Sequence, residues 1–190
     1  MRPSVDASII GHFAPIVALK ILTLCTGNAA RSVMLGYMLA TLGEVNGSYW
    51  SIRTAGTHVV EGSAMSTRTR EALLQIPELG DHRYGAHRGH QLTRSDVEWA
   101  HVILASEARH VVFVRAHHGE ATAKTVLLGQ FLREAPLDKL FADQVSHASS
   151  QTPDSAFDVD DPAGQDQDAY DQCATRLWEM AQAFATLVGS

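Results

Sequence analysis

The stretch that decides the fold spans residues 17–32 and reads VALKILTLCTGNAARS. Its first half is an apolar run with little alternation, which is typical of a strand buried in a parallel sheet. From residue 33 to 42, apolar side chains recur at helical spacing, so we expect a helix there. The loop between these elements carries Cys25 and, six residues later, Arg31. A strand, a turn and a helix N-terminus predict a site for a phosphate-like dianion, with the cysteine beneath it.

The composition of the chain is that of an ordinary globular protein. Its 190 residues are enough for one domain with a sizeable core. The formal net charge of −6 argues against a nucleic-acid partner, because a general nucleic-acid binder has a basic surface. The two cysteines, Cys25 and Cys173, provide no disulfide framework, so we expect a reducing compartment, the cytoplasm.

Residues 1–17 are predicted as an N-terminal extension, followed by a single domain over residues 18–190. The apolar part of the extension is interrupted by Gly11, His12 and Pro15, which does not favour a secretory signal peptide. Further along the chain, no stretch reaches the ~20 apolar residues that a membrane-spanning helix needs. We therefore expect no membrane partner.

Short apolar runs alternate with helical patterns along the rest of the chain. This alternation predicts a parallel sheet with helices packed against it. Gly43 is expected to stop the first helix. The last helix carries an apolar face from Tyr170 to Leu187, and Cys173 lies on that face, so we expect this cysteine in the core. The expected strands are 17–24, 49–54, 102–105 and 125–128, and the expected earlier helices are 34–42, 66–74 and 107–115.

The segment from about 133 to 157 interrupts the alternation. Apolar residues between 137 and 145 are compatible with one short helix, whereas residues 147–154 are rich in Ser, Thr and Pro and are predicted as a flexible loop. We therefore expect a loop insertion in this part of the domain.

The loop residues suit an attack on phosphorus. The thiolate of Cys25 is a nucleophile, and the guanidinium of Arg31 binds two phosphate oxygens while loop N–H groups bind the others. Gly27 allows close approach of the backbone to the anion, and Asn28 tolerates a left-handed conformation. A hydroxyl at Ser32 is placed to donate to the sulfur. A buried structural thiol is the alternative for Cys25, but a polar loop with a glycine is a poor place for one.

The sequence CTGNAARS at residues 25–32 resembles the phosphate-binding loop of the low-molecular-weight protein tyrosine phosphatases. An Asp-Asp-Pro sequence at residues 160–162, shortly before the last helix, is similar to the Asp-Pro pair in which that family carries its general acid. The resemblance covers about residues 19–188. It implies an α/β fold, a three-layer sandwich around a four-stranded parallel sheet. The other segments that agree in order and spacing are 54–57 (TAGT), 102–104 (VIL) and 126–129 (VLLG).

By this resemblance, Asp161 protonates the leaving group and then deprotonates the attacking water. Asp160 competes for this role but does not directly precede the proline, and a turn residue before Pro162 is the alternative for Asp161. His87 would brace the loop, and no cofactor is implied. The other histidines show no established metal-ligand spacing and are expected to be solvated. The residues expected to contact phosphate are Thr26, Gly27, Asn28, Ala29 and Ala30, and those expected to support the site are Ser32, Thr54 and His87.

Two departures from the family pattern bear on function. At Ala30 the family usually has a second cysteine that can protect the nucleophile as a disulfide, so oxidised Cys25 is expected to lack a resolving thiol. Ala163 and Gly164 stand where an aromatic wall of the phosphotyrosine slot is common. The opposite side offers valines and the imidazole of His58. We therefore expect a reduced or altered preference for phosphotyrosine.

The leading hypothesis is hydrolysis of protein phosphotyrosine through a phosphocysteine intermediate. The expected partner is a tyrosine-phosphorylated protein, a tyrosine kinase being one candidate. A phosphate-binding pseudo-phosphatase that keeps the loop for recognition is an alternative. Arsenate reduction is a weaker one, because it needs two further cysteines downstream of the loop and only Cys173 remains.

Overall fold

Residues 18–80 and 82–189 are described by the computed structural model, and they form four β-strands and seven α-helices. Residues 1–17, the predicted extension, lie outside the described residues. Among the described residues, no helix is both long and apolar enough to span a membrane. The strands are β1 (Leu19–Cys25), β2 (Trp50–Gly56), β3 (Val102–Ala105) and β4 (Thr125–Leu127); the helices are α1 (Arg31–Val45), α2 (Thr67–Leu74), α3 (Arg94–Trp99), α4 (Ala108–His117), α5 (Leu128–Glu134), α6 (Phe141–Ser150) and α7 (Gln167–Gly189).

The sheet is parallel throughout and has the strand order β2–β1–β3–β4. Because side chains alternate along a strand, Ile21 and Leu22 enter different cores. Ile21 packs with residues of α1, α2, α5 and α7, whereas Leu22 packs with residues of α3 and α4. The predicted three-layer α/β sandwich is therefore confirmed, and Cys173 lies in the first of these cores as expected.

The strand order brings the functional loop to the middle of the sheet. Cys25 ends β1, a central strand, and pairs in register with Gly56 at the end of β2. A Cβ atom at Gly56 would collide with the backbone of Thr26 and Asn28, so only glycine fits beside the loop. In open parallel sheets, ligands bind at the carboxyl ends of the strands, which is where this loop lies.

Two predictions about helices were wrong. Gly43 does not stop α1, which continues to Val45, because Gly43 does not adopt the left-handed backbone that ends a helix. The segment 133–157, predicted mainly as loop, contains α6, and residues 147–150 are helical. Val145 of this helix is buried in the main core, so tertiary packing stabilises a helix whose local pattern is weak.

Candidate active site

The thiol of Cys25 is buried at the end of β1, and its sulfur lies 3.0 Å from Ser32 Oγ. Ser32 Oγ accepts a hydrogen bond from Asn28 Nδ2 at 2.9 Å. Its own hydrogen is therefore available to the sulfur, and a donated hydrogen bond stabilises negative charge there.

Asn28 stabilises the conformation of the phosphate loop. It is the only described non-glycine residue with a positive φ, 49°, and its side chain is fully buried. Its Nδ2 also donates to Thr54 Oγ1 at 2.9 Å, and its Oδ1 accepts from the backbone N–H of His90 at 3.0 Å. Its carbonyl oxygen lies 2.8 Å from His87 Nε2. Burial lowers the pKa of His87, so the neutral imidazole donates through Nε2.

Arg31 bonds to four described residues, although only 1% of its side chain is exposed. Its Nη1 donates to Glu107 Oε2 at 2.6 Å and to the carbonyl of Val159 at 3.0 Å. Its Nη2 donates to Asp161 Oδ2 at 2.5 Å and lies 3.4 Å from Thr26 Oγ1. Its Nε is a buried donor with no partner among the described residues. That nitrogen fits an acceptor such as a phosphate oxygen.

Asp161 and Asp160 face different spaces. Asp161 lines a cavity of about 180 Å³ together with Cys25 and Arg31. Asp160 lines a separate cavity of about 280 Å³, on the side of the Asp-Pro turn where Cys173 and Arg176 lie. Of the two carboxyl groups, only that of Asp161 borders the space beside the thiol.

The structure brings most of the predicted phosphate-contacting residues to this cavity. Asn28 does not line it, because its side chain points into the loop support described above. Thr54 and His87, predicted as supporting residues, contact the loop through Asn28. The residues that line the cavity are Cys25, Thr26, Gly27, Ala29, Ala30, Arg31, Asp161, Ala163 and Tyr170.

Sequence reasoning missed three polar residues at the start of α4. Glu107 binds Arg31, and Arg109 binds Glu107 at 2.7 Å and Thr26 Oγ1 at 3.2 Å. Burial would raise the pKa of Glu107, but hydrogen bonds from Arg109 and Arg31 lower it overall, so the carboxylate is charged. The available signal was the position of these residues directly after β3, at the same sheet edge as the loop.

His110 is the third missed residue, and it is almost fully buried. Its Nδ1 accepts the backbone N–H of Glu107 at 3.1 Å, so Nε2 carries the hydrogen and donates to Thr26 Oγ1 at 2.9 Å. Burial lowers its pKa to about 4. His110 is therefore neutral at pH 7 and links the loop to α4.

The prediction that the other histidines are solvated was wrong for His110, which is 1% exposed, and two further histidines are only partly exposed and contact polar side chains. His90 Nε2 lies 2.7 Å from Asp96 Oδ2, and its Nδ1 lies 3.3 Å from Glu61 Oε1. His82 Nε2 lies 2.8 Å from Thr41 Oγ1. Residues 18–80 and 82–189 contain no group of three or more His, Cys, Asp or Glu side chains arranged to hold a metal ion.

Comparisons with known proteins agree with this geometry. The family model described as low molecular weight phosphotyrosine protein phosphatase matches residues 20–143. A protein-arginine-phosphatase of Geobacillus stearothermophilus is 33% identical over 113 residues, which are 60% of this chain and 71% of the relative.

Two solved structures extend the comparison. The YwlE arginine phosphatase from Geobacillus stearothermophilus is 27% identical, with a TM-score of 0.68 over 88% of this chain and 91% of that one. A mutant YwlE arginine phosphatase with a phosphorylated active-site serine has a TM-score of 0.73 over 90% of this chain and 97% of that one. At 22% identity, the second likeness shows the fold alone. The chain belongs to the low molecular weight phosphotyrosine protein phosphatase family and is a phosphatase with a cysteine-based mechanism.

Proposed function

We propose that the chain dephosphorylates protein side chains, with Cys25 as the nucleophile, Arg31 as the phosphate clamp and Asp161 as the general acid and base. The observation that carries the proposal is that these three side chains line one cavity of about 180 Å³. The Nε of Arg31, which has no partner within residues 18–80 and 82–189, supports the proposal, because a phosphate oxygen would be its acceptor.

In the first step, the Cys25 sulfur attacks phosphorus, and the bond from phosphorus to the leaving nitrogen or oxygen breaks. The Asp161 carboxyl gives its proton to the leaving atom. In the resting structure, Arg31 Nη2 holds Asp161 Oδ2 at 2.5 Å. Phosphate oxygens compete for that guanidinium, so substrate binding frees the carboxyl to face the leaving group.

In the second step, Asp161 accepts a proton from water, and the water oxygen attacks the phosphocysteine. The sulfur–phosphorus bond breaks, inorganic phosphate leaves, and the thiolate of Cys25 is restored. The hydroxyl of Ser32, 3.0 Å from the sulfur, stabilises the departing thiolate. The reaction consumes one water and needs no oxidant, reductant or metal.

Phosphoarginine is the first candidate substrate. Relatives of this chain are named arginine phosphatases, one of them at 33% identity. The walls beside the thiol include the methyl groups of Ala29 and Ala163. Among the described residues, the one aromatic residue that lines the cavity is Tyr170, which is only 5% exposed. These walls offer little surface for stacking a phenyl ring. The narrow aliphatic stem of arginine does not need that stacking.

Phosphotyrosine is the second candidate, and two observations favour it. The matching family model carries phosphotyrosine in its description. In addition, the rings of His58 and Phe113 lie 5.6 Å apart and line a neighbouring cavity together with Thr26, so they supply aromatic surface next to the loop. With either substrate the partner is a phosphorylated protein, and a thiolate nucleophile suits the reducing cytoplasm.

The test compares two peptides of identical sequence, one with phosphoarginine and one with phosphotyrosine. Phosphate release gives kcat/KM for the wild type, Cys25→Ser, Asp161→Asn and the control Asp168→Asn, whose carboxyl is exposed in the first turn of α7. We expect a higher kcat/KM for the phosphoarginine peptide, no turnover by Cys25→Ser and wild-type turnover by the control. Turnover by Cys25→Ser would remove the mechanism. Binding of phosphate without hydrolysis of either peptide would identify a pseudo-phosphatase.

A further inference from the structure

A second cavity, of about 120 Å³, opens beside the cavity over Cys25. Thr26 lines both, so the two spaces lie against the same residue of the phosphate loop. We refer to the second space as the side cavity. Its lining residues are Thr26, Thr57, His58, Arg109, His110 and Phe113.

Most polar groups of the side cavity are bonded to one another or to nearby residues. His110 Nε2 donates to Thr26 Oγ1 at 2.9 Å, and its Nδ1 accepts from the backbone of Glu107. Thr57 Oγ1 and His58 Nδ1 lie 3.1 Å apart. An occupant therefore does not have to supply a hydrogen bond to His110 or Thr26, and a polar occupant would not regain its lost water contacts from these two residues.

The apolar surface of the side cavity comes from Phe113. This half-buried ring meets His58 edge to face at 5.6 Å and stacks on His117 at 4.3 Å. Arg109 is 60% exposed at the rim, but Glu107 Oε2 holds its Nη2 at 2.7 Å and balances its charge. The rim thus offers little net charge to attract an acidic side chain.

We propose that the side cavity is a substrate subsite that takes an apolar side chain next to the phosphorylated residue. Its volume is comparable to that of the ~150 Å³ cavities that bind benzene, so a leucine or phenylalanine side chain fits. Because Thr26 lines both cavities, the occupant lies within one or two residues of the phosphorylated position. This subsite rests on the proposed function, since it binds part of the same substrate.

The test uses phosphoarginine peptides that differ only at the positions from two before to two after the phosphorylated residue. Each position carries Gly, Leu or Asp in turn, and kcat/KM is measured for each peptide. At one position we expect the Leu peptide to exceed the Gly peptide by about tenfold, as expected for a partly buried leucine side chain. The Asp peptide should not exceed the Gly peptide.

Variants then locate the effect. In Phe113→Ala, the ratio of kcat/KM for the Leu peptide to kcat/KM for the Gly peptide should fall to about one. The same ratio should also fall in His58→Ala, because His58 is exposed and its side chain can be truncated without loss of the fold. Val112→Ala is the matched control, because this side chain is 56% exposed on the same helix and does not line the side cavity. It should keep the wild-type ratio.

The ratio of kcat/KM between the Leu and Gly peptides tests the subsite independently of the proposed function. Turnover of all peptides with equal kcat/KM would overturn the subsite and leave the proposed function standing. A preference for the Asp peptide that is lost in Arg109→Ala would replace the apolar occupant by an acidic one. Turnover of none of the peptides, phosphotyrosine versions included, would overturn the proposed function and the subsite together.

Discussion

Arg31 Nη1 and Glu107 Oε2 lie 2.6 Å apart, and this ion pair joins the phosphate loop to the start of α4. Only 1% of the Arg31 side chain and 14% of the Glu107 side chain are exposed. A buried guanidinium needs such a partner, because an unpaired buried charge is strongly unfavourable. Glu107 therefore fixes one side of the guanidinium and leaves Nε and Nη2 for the phosphate.

We predict that Glu107→Gln weakens phosphate binding. The amide accepts a hydrogen bond but carries no charge, so the guanidinium is held less firmly. The inhibition constant for inorganic phosphate should rise about tenfold, and the free energy of unfolding should fall by about 1–3 kcal/mol. Enzyme assays with added phosphate and urea denaturation measure the two effects.

The matched control is Glu98→Gln, which weakens an exposed ion pair with Arg94. Exposed pairs contribute about 0–1 kcal/mol, so this variant should keep both values close to those of the wild type. If Glu107→Gln binds phosphate as tightly as the wild type, then Glu107 has no part in orienting Arg31.

The sequence predicted those parts of the site that lie in contiguous motifs. Cys25 and Arg31 share one strand–loop–helix unit, and Asp161 stands directly before a proline. Glu107 and His110 have no such motif, because they reach the loop only through the parallel pairing of β1 with β3, in which Leu24 is opposite Ala105. Pairing between distant strands is not encoded in local periodicity.

The same reason explains the aromatic surface that sequence reasoning missed. The sequence indicated little aromatic surface around the phosphotyrosine slot, with the imidazole of His58 as the one ring on the side opposite Ala163 and Gly164. Phe113 lies 55 positions further along the chain, and the packing of α4 against the sheet brings it to His58 at 5.6 Å. The substrate question therefore depends on tertiary contacts, whereas the phosphoryl chemistry depends on the loop motif.

His110 makes stability depend on pH. Its pKa is lowered to about 4 in the folded protein by burial, whereas in the unfolded chain it lies near 6.5. The unfolded state therefore binds the proton more readily, so the contribution to stability is complete above pH 6.5 and is lost as the pH falls toward 4. The charged groups that face His110 are Glu107, Arg31 and Arg109, with His58 also nearby.

We predict that His110→Gln reduces the difference between the free energies of unfolding at pH 7 and pH 5 by about 2 kcal/mol. Glu107 does not account for this difference, because its lowered pKa lies below the pH window. The comparison between variant and wild type removes the contribution of His87, whose lowered pKa acts in the same direction. Urea denaturation at pH 7 and pH 5 measures the difference between the two free energies of unfolding.

The control is His147→Gln, because His147 is exposed on α6. This variant should keep the wild-type pH difference. An unchanged pH difference in His110→Gln would show that His110 is not the group responsible.

Oxidation of Cys25 should be irreversible. Burial raises the pKa of Cys173 to about 12, so this thiol stays protonated at neutral pH and is a poor nucleophile toward a sulfenic acid. After mild peroxide, mass spectrometry should find sulfinic and sulfonic acid at Cys25, and dithiothreitol should not restore activity. A Cys25–Cys173 disulfide as the main product would contradict this prediction.

Two variants test why oxidation of Cys25 causes an irreversible loss of activity. Ala30→Cys places a second thiol in the loop, and we expect a disulfide with Cys25 that dithiothreitol reverses. Cys173→Ser should lose activity at the wild-type rate and to the same extent, because Cys173 does not resolve the oxidised nucleophile.

Asn28 supports the loop in two ways that substitution can separate. Its φ of 49° is left-handed, where a side chain costs about 1–2 kcal/mol that glycine avoids. Its side chain also bonds to Ser32, Thr54 and the backbone of His90. Both Asn28→Gly and Asn28→Ala remove these bonds, and both should lose most of their affinity for inorganic phosphate. Asn28→Ala should in addition unfold about 1 kcal/mol more easily than Asn28→Gly.

The same pair of substitutions at Asn46 gives the control. Asn46 follows the last residue of α1 in an exposed position with a φ of −82°, where glycine has no conformational advantage. There Asn46→Ala should be at least as stable as Asn46→Gly, because alanine loses less entropy on folding. If Asn28→Ala proves as stable as Asn28→Gly, then the left-handed backbone at residue 28 is not a constraint on the stability of the loop. Phosphate binding would then depend on the hydrogen bonds of Asn28 alone.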